Sequence, residues 1–316
     1  MNPLVSILIP CHNAAPWLAE TLESALAQTW PEKEIILVDD GSTDESLPIA
    51  RRFEPRGIRV HSQPNRGAAA ARNTGLRHAR GAYLQFLDAD DLISPDKIER
   101  QLTTLAGGLA ARVASCAWGR FHDDPARAEF VDQAVFRDFE PVEFLLLSGD
   151  AARMIHPSAW LTPREVAERA GPWNEQLTLN DDGEYFCRVV LASAGITFVP
   201  AARSYYRSGL DGSLSQRRDE RSRRSQFQSI ELIAEHLQQA EDSPRVRHAI
   251  GNYYQRFVYD FYPNPTDLME LAEQRIAALG GSTLAPPMGP KTSALARLIG
   301  WRRVWRLKDW YFRGAR

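Results

Sequence analysis

Short apolar runs alternate with amphipathic segments along the N-terminal third of the chain. The runs that have the length and composition of buried strands are 4–9, 34–38, 58–62 and 83–87. Between them, apolar residues recur at helical spacing, as Leu18, Leu22 and Ala25 do after the first run. Strands that alternate with helices predict an α/β fold in which a mostly parallel sheet carries helices on both faces.

Polar segments follow three of these runs, at the ends where parallel sheets bind their ligands. The segments are PCHN at 10–13, DDGSTD at 39–44 and DADD at 88–91. Because the carboxyl ends of parallel strands lie along one edge of a sheet, we expect these segments to converge on one crevice.

The segment DADD places Asp88, Asp90 and Asp91 within four positions. Ionised carboxylates this close together repel one another, and a divalent cation removes that cost. Mg²⁺ or Mn²⁺ prefers oxygen ligands and takes one or two protein carboxylates together with substrate phosphates. The sequence therefore predicts a metal site here. The alternative is that the three residues cap the next helix.

The pattern changes in the rest of the chain. Residues 120–215 are less regular and complete one domain, which we place at 1–215. Residues 216–279 are charged and helix-forming, and they predict a helical C-terminal extension. Residues 280–293 are rich in Gly, Pro and Ser, which predicts a linker before a basic aromatic tail at 294–316.

The composition narrows the class of protein. With 38 basic and 40 acidic residues the formal charge is −2, so no overall basic field favours nucleic acid as a partner. Three widely spaced cysteines without C-x-x-C spacing are typical of a reduced protein rather than a disulfide scaffold. The first apolar run is too short for a signal peptide, and no stretch reaches the roughly 18 apolar residues of a membrane span. We therefore expect a cytoplasmic protein.

The tail is the one strongly charged segment. Residues 291–316 carry eight basic and one acidic residue, a net charge of +7 that leaves −9 for the other 290 residues. The aromatic residues that interleave with these charges are Trp301, Trp305, Trp310, Tyr311 and Phe312. This pattern is typical of helices at an anionic membrane interface, so we expect peripheral binding to the inner face of a membrane. The alternative is a helix that packs on the rest of the chain or on a dimer partner.

Several segments, taken in order, resemble the family 2 glycosyltransferases. They are SILIPCHNAAPWLAETLESALAQTW, EIILVDDGSTD, NRGAAAARNTGLRHARGAYLQFLDADD, GPWNEQL and DDGEYFCRV, and they lie within residues 4–215. The resemblance implies an inverting enzyme with a GT-A-like, Rossmann-related fold that uses nucleotide-diphosphate sugars. It also implies that the domain 1–215 has a nucleotide-sugar-binding half at 1–119 and an acceptor-side half at 120–215.

The resemblance implies roles for residues of the donor site. Pro10, His12, Asn13 and Asp40 correspond to residues that line the base and ribose pocket, and Asp40 accepts a hydrogen bond from the base. Arg72 faces the diphosphate, where a guanidinium suits phosphate geometry. Each role has a simpler structural alternative: Asp40 organises a turn, and Arg72 pairs with a surface acid.

The resemblance also implies where metal and base lie. Asp88 and Asp90 match the metal motif for Mn²⁺ or Mg²⁺, with Asp90 the direct ligand, and Asp182 aligns with the catalytic base. Capping of a helix by Asp182 is compatible with that role. Some relatives have a histidine near the metal after a tyrosine-arginine pair, whereas this chain has Ser208 after Tyr206 and Arg207.

Together, these implied roles predict an enzyme that transfers a sugar from a nucleotide-diphosphate sugar to a hydroxyl of a glycan or lipid-linked acceptor, in cell-surface polysaccharide synthesis. The alternative is a non-catalytic nucleotide-sugar or glycan binding module in an assembly complex. The presence of both Asp90 and Asp182 favours the enzyme, because a binding module needs no base. A nucleotidyltransferase or a dinucleotide oxidoreductase would need a Gly-rich phosphate loop after the first strand, and PCHN is not one.

Overall fold

The computed structural model describes residues 2–109, 111–151, 156–210, 219–262 and 267–313. The contacts divide the chain into two units. The first unit consists of 1–145 with 154–217, and the second consists of 146–153 with 218–316. The sequence predicts a boundary at 215, and it does not indicate that 146–153 belongs with the C-terminal segment.

The first unit contains all the strands of the described residues. They are β1 (Val5–Cys11), β2 (Lys33–Asp40), β3 (Ile58–Gln63), β4 (Tyr83–Phe86), β5 (Leu92–Ile93), β6 (Val113–Phe121), β7 (Thr162–Pro163) and β8 (Ile196–Arg207). Five of them form the main sheet in the order β3-β2-β1-β4-β7. The first four of these run parallel and β7 is antiparallel, so the predicted α/β fold with a mostly parallel sheet is confirmed.

The helices of the first unit follow its strands. They are α1 (Ala15–Leu26), α2 (Ser46–Arg52), α3 (Ala68–His78), α4 (Lys97–Leu105), α6 (Arg164–Ala170) and α7 (Asp181–Ala192), and α5 (Pro141–Ala151) continues into the second unit. Leu18, Leu22 and Ala25, which the helical spacing selects, are fully buried on α1. Burial of both sheet faces under helices explains why β1 and β2 are almost continuously apolar.

A second, three-stranded sheet has the order β5-β8-β6. Of its strands, only β8 lies wholly within 120–215, the region in which the sequence pattern is irregular. β6 and β8 run parallel, with a register shift between Cys116 and Ala117. The shift interrupts the alternation of buried and exposed positions, so β8 gives a weak strand signal despite its 12 residues.

The second unit is helical in its described part, as the sequence predicts. It contains α8 (Glu220–Ala240), α9 (Pro244–Phe261), α10 (Asp267–Ala278), α11 (Pro290–Ile299) and α12 (Trp301–Arg313). Asp219 caps α8 through the backbone N–H of Ser222, and Phe227, Ile230 and Phe257 are buried in the core of the unit. α11 begins at Pro290, inside the segment 280–293 that the sequence predicts as a linker.

The length and hydropathy of the helices bear on whether any of them could span a membrane. Within the described ranges, every helix is either too short or too polar to cross a lipid bilayer.

Candidate active site

The loops after β1 and β2 are joined by hydrogen bonds. The side-chain oxygen of Asn13 accepts from the N–H of Thr43 at 2.8 Å, and the N–H of Asn13 donates to the Ser42 hydroxyl at 3.0 Å. His12 Nδ1 donates to the carbonyl oxygen of Asp40 at 2.9 Å. PCHN and DDGSTD therefore meet, as expected from their places at the carboxyl ends of adjacent parallel strands.

A glycine allows a third loop to approach these two. Gly41 has a φ of +69°, and a Cβ at this position would lie 2.7 Å from the backbone nitrogen of Asn65. The Asn65 side chain in turn lies 3.2 Å from Nε2 of His12. The loop after β3 thus closes over the exposed side of His12.

The carboxylate of Asp40 orders the start of α3. It accepts hydrogen bonds from the Gln63 side chain at 2.7 Å, the Arg66 N–H at 2.9 Å and the Gly67 N–H at 2.7 Å. Asp40 is 2% exposed, so these contacts occupy a buried group. The structure therefore gives Asp40 the turn-organising role, and its contact with a nucleotide base stays a prediction.

Arg72 on α3 joins two acidic segments of the site. Its guanidinium lies 2.8 Å from Asp88 and 2.8 Å from Asp181, and it stacks over the ring of Trp173 with 4.4 Å to the centroid. Burial by itself would lower the pKa of Arg72, but the two carboxylates outweigh it and raise the pKa. The partners of Arg72 are thus acids of the site, not an unrelated surface acid.

The three carboxylates of DADD have different surroundings. Asp88 pairs with Arg72, whereas Asp91 is 1% exposed and accepts from the N–H of Arg207 at 3.0 Å. No side chain in the described ranges donates a hydrogen bond to the carboxylate of Asp90. Burial and the charges of Asp91 and Asp88 raise the pKa of Asp90 from 3.8 to about 8.

A chain of buried hydrogen bonds, which the sequence does not predict, holds Asp91 in place. Its carboxylate accepts from His156 Nδ1 at 3.1 Å and from the Ser158 hydroxyl at 2.8 Å. Nε2 of His156 accepts from the Ser204 hydroxyl at 2.8 Å. Asp91, His156 and Ser204 are at most 1% exposed, so this Ser-His-Asp arrangement fixes the DADD loop and does not meet a substrate.

Arg207, at the end of β8, supports the same loop. It donates from Nε to the Asp90 carbonyl oxygen at 2.9 Å and from a terminal nitrogen to the His122 carbonyl oxygen at 3.0 Å, and it also pairs with Glu20. The sequence identifies the Tyr206-Arg207 pair but not this contact, because 117 residues separate Arg207 from Asp90.

Asp182 lies in the first turn of α7, next to the Asp181 that binds Arg72. One of its carboxylate oxygens accepts from the N–H of Gly183 at 2.9 Å. Burial, with the charge of Asp181 as a second cause, raises the pKa of Asp182 from 3.8 to about 6. A carboxylate with this pKa is ionised at neutral pH and takes up protons more readily than an ordinary aspartate, which suits a general base.

Glu184 and Arg188, which lie further along α7, hold the N-terminus of this helix in place. Glu184 is 2% exposed and pairs with Arg188 one turn later. Arg188 also donates to the carbonyl oxygens of Ala170 and Pro172, in the segment that carries Trp173. These contacts agree with a supporting role for both residues.

The oxygen donors present fit a hard divalent cation. Asp90 carries a carboxylate that like charges and burial destabilise, and Asp88 lies two residues away. No cluster of three or more His, Cys, Asp or Glu side chains in the described ranges is arranged to hold a metal alone. Mg²⁺ and Mn²⁺ take one or two protein carboxylates completed by substrate phosphates, and Asp90 and Asp88 are two such carboxylates.

Comparison with known proteins identifies the family. The model of glycosyl transferase family 2 matches residues 6–169, about half of the chain, so the chain belongs to this family. The match includes β1 to β4, the DDGSTD and DADD segments and Arg72, and it ends before Asp182.

Relatives include a putative teichuronic acid biosynthesis glycosyltransferase, TuaG, of Bacillus subtilis. It is 44% identical over 104 residues, which is 32% of this chain and 41% of TuaG. The match covers between 14% and 41% of the length of these curated relatives.

Solved structures of low sequence identity share the fold. S. aureus TarS 1-349 in complex with UDP-GlcNAc superposes with a TM-score of 0.60 at 17% identity, over 98% of this chain and 92% of TarS. The mannosyltransferase PcManGT from Pyrobaculum calidifontis, in complex with GDP-Man and Mn²⁺, has a TM-score of 0.57 at 20% identity, over 96% of this chain and 83% of that protein. The expected GT-A-type fold is thus confirmed.

Proposed function

We propose that this chain is an inverting glycosyltransferase. In this proposal it transfers a sugar from a nucleotide-diphosphate donor to a hydroxyl of a glycan or lipid-linked acceptor, in the synthesis of a cell-surface polysaccharide. The observation that carries the proposal is the position of Arg72, which lies 2.8 Å from Asp88 in the DADD segment and 2.8 Å from Asp181, the neighbour of Asp182.

The donor site consists of the joined loops at the carboxyl ends of β1 and β2. Pro10 lies near the end of β1, His12 and Asn13 lie on the loop that follows, and Asp40 fixes the loop that leads into α3. We assign the base and ribose to this crevice. The binding of UDP-GlcNAc by TarS and of GDP-Man by PcManGT supports a nucleotide-sugar donor.

Asp90 and Asp88 would hold Mg²⁺ or Mn²⁺ beside the diphosphate. A bound divalent cation supplies Lewis-acid stabilisation of the negative charge on a leaving diphosphate. The presence of Mn²⁺ in the PcManGT complex agrees with this choice of ion. Arg72, adjacent to Asp88, adds a fixed positive charge on the same side of the site.

Asp182 accepts the proton of the acceptor hydroxyl in the proposed reaction. The hydroxyl oxygen forms the new bond to the anomeric carbon as the bond to the diphosphate breaks, so the configuration at that carbon inverts. Orientation of the two substrates provides much of the remaining rate acceleration, and the reaction needs no covalent intermediate.

The proposed location of the enzyme is based on the basic aromatic tail and on the proposed lipid-linked acceptor. We propose a cytoplasmic enzyme that is peripheral on the inner face of the membrane, where lipid-linked acceptors lie. The relationship to TuaG, a putative teichuronic acid biosynthesis glycosyltransferase, supports an acceptor in a cell-surface polymer.

The test is a transfer reaction with uridine, guanosine and thymidine diphosphate sugars, Mn²⁺ and a panel of glycan and lipid-linked acceptors. Nuclear magnetic resonance of the product determines the anomeric configuration of the new bond. We expect release of one nucleoside diphosphate and an inverted product. A folded protein that transfers sugar from no donor, but binds glycans, would instead support the binding-module alternative.

A further inference from the structure

The tail contributes an aromatic face to the interior of the second unit. Trp301 stacks edge-on against Tyr259 with 4.9 Å between ring centroids, and Trp305 lies 6.2 Å from the same ring. Val304, between them on α12, is 2% exposed. These tryptophans are therefore held by α9, although their sequence pattern suggests a membrane contact.

The opposite face of α12 has a different character. Arg303, Arg306 and Leu307 are spaced three and four residues apart, so they share a face that points away from the Trp301-Val304-Trp305 face. All three side chains are exposed, and Leu307 is 53% exposed.

The preceding helix repeats this combination of residues. Leu295 and Leu298 on α11 are 41% and 83% exposed, and Arg297 beside them is exposed as well. Exposed large apolar side chains are rare elsewhere, since Val131 is the only other one among the described residues. A concentration of exposed leucine on two consecutive helices marks an interaction surface.

The charges of this surface favour one type of partner. In the described ranges Arg297, Arg303 and Arg306 have no acidic partner, whereas the neighbouring Arg302 pairs with Glu273. Unpaired arginines beside exposed leucines suit an anionic bilayer, where leucine enters the boundary between headgroups and acyl chains and arginine binds lipid phosphate. A symmetric contact with a second copy through this surface would bring three arginines from each copy into one interface, with no acidic residue of the surface to pair with them.

We propose that the leucine-arginine surface, which consists of Leu295, Leu298, Leu307, Arg297, Arg303 and Arg306, lies on an anionic lipid bilayer. The proposal deepens the peripheral location in the proposed function, because it assigns membrane contact to this surface instead of to Trp301 and Trp305. It places α11 and α12 parallel to the bilayer plane, as amphipathic interfacial helices lie.

The experiment is sedimentation of the full chain with vesicles of phosphatidylcholine alone and with vesicles that also contain phosphatidylglycerol. We expect binding to the anionic vesicles only. Arg303→Glu combined with Arg306→Glu should weaken that binding at least about tenfold, since each cation near such a surface contributes appreciably. Leu298→Ser combined with Leu307→Ser should weaken it by a similar factor.

Matched variants control for charge and hydrophobicity. Arg51→Glu with Arg52→Glu makes the same change in net charge on the exposed end of α2, and Val131→Ser removes the exposed apolar side chain outside the surface. Both should bind vesicles as the wild type does. An unchanged circular dichroism spectrum and an unchanged thermal unfolding midpoint show that each variant is folded.

Three outcomes would overturn the proposal: no binding of wild type to anionic vesicles, equal loss in the controls, or a dimer in solution that Leu298→Ser dissociates. Vesicle binding requires no donor or acceptor, so it can fail while transfer succeeds. Conversely, vesicle binding by a protein that transfers no sugar would support this surface and contradict the proposed function.

Discussion

The guanidinium of Arg72 lies between the carboxylates of Asp88 and Asp181, 2.8 Å from each. One carboxylate belongs to the segment after β4, and the other precedes Asp182 on α7. Arg72 thereby joins the candidate metal site to the candidate base, and it is itself only 6% exposed. Arg72 therefore fixes the position of the DADD segment relative to the start of α7.

Replacement of Arg72 tests this dependence. Arg72→Met leaves Asp88 and Asp181 partly buried and unpaired, so we expect a loss of about 3 kcal/mol in the free energy of unfolding. Arg72→Lys should lose less stability but still most activity, because an ammonium group does not bind two carboxylates in the fixed geometry of a guanidinium. Urea denaturation measures the first effect. Arg51→Met, on the exposed end of α2, should leave stability within about 0.5 kcal/mol of wild type.

Asp90 should destabilise the protein when metal is absent. Its pKa rises from 3.8 to about 8 on folding, so the folded state binds its proton more tightly than the unfolded state does. The free energy of unfolding is therefore highest below pH 4, where Asp90 is protonated in both the folded and the unfolded state. It decreases as the pH rises from 4 towards 8, because Asp90 ionises more readily in the unfolded state. Asp90→Asn removes the charge, and at pH 7 we expect the metal-free variant to be more stable than wild type by up to about 4 kcal/mol.

Denaturant unfolding in the presence of a chelator, at a series of pH values, measures this effect. The difference between Asp90→Asn and wild type should shrink as the pH falls towards 4. If Asp90→Asn were less stable than wild type at pH 7, both without metal, the ionised carboxylate of Asp90 would not destabilise the metal-free protein, and its assignment as a metal ligand would be contradicted.

Asp182 should set the acidic limb of the pH profile. Its pKa of about 6 predicts that kcat/KM falls about tenfold per pH unit below that value, because the protonated form accepts no proton. Asp182→Asn should lower kcat by about 10²- to 10⁴-fold while nucleotide binding stays unchanged. A variant that loses nucleotide affinity to the same degree would indicate a binding role for Asp182 instead.

His156 should act through the position of Asp91. His156→Ala leaves Asp91 without the His156 donor and the Ser204 hydroxyl without its acceptor in a buried region, so we expect a loss of about 1–3 kcal/mol in stability. Because the DADD loop is then less well fixed, Mn²⁺-dependent nucleotide affinity should also fall. His78→Ala provides a control, since His78 lies at the end of α3 and its ring stacks on that of His61. An unchanged affinity in a destabilised His156→Ala protein would restrict His156 to a structural role.

Local sequence patterns account for β1 to β4 and for the meeting of PCHN with DDGSTD. The apolar runs are strong, and parallel topology brings their carboxyl ends to one edge. The same reasoning does not predict β8, because the pairing of β8 with β6 shifts register between Cys116 and Ala117. A pattern of alternation cannot indicate a strand whose alternation is interrupted.

The residue types at the site are predictable, whereas most of their partners are not. Arg72 and Asp181 are separated by 109 residues, and Asp91 and His156 by 65, so only the folded chain brings these groups together. The tail shows the same limit. Charge and aromatic content identify it as an amphipathic segment, but the contact of Trp301 with Tyr259 determines which of its faces remains exposed.

The most direct test of the account is calorimetric titration with uridine, guanosine and thymidine diphosphates, each with and without Mn²⁺. We expect wild type to bind one of them in a metal-dependent manner, Asp90→Ala to lose that binding, and Asp182→Asn to retain it. Binding that is independent of both Mn²⁺ and Asp90, or the absence of binding by folded wild type to all the nucleotides, would contradict the proposed donor site.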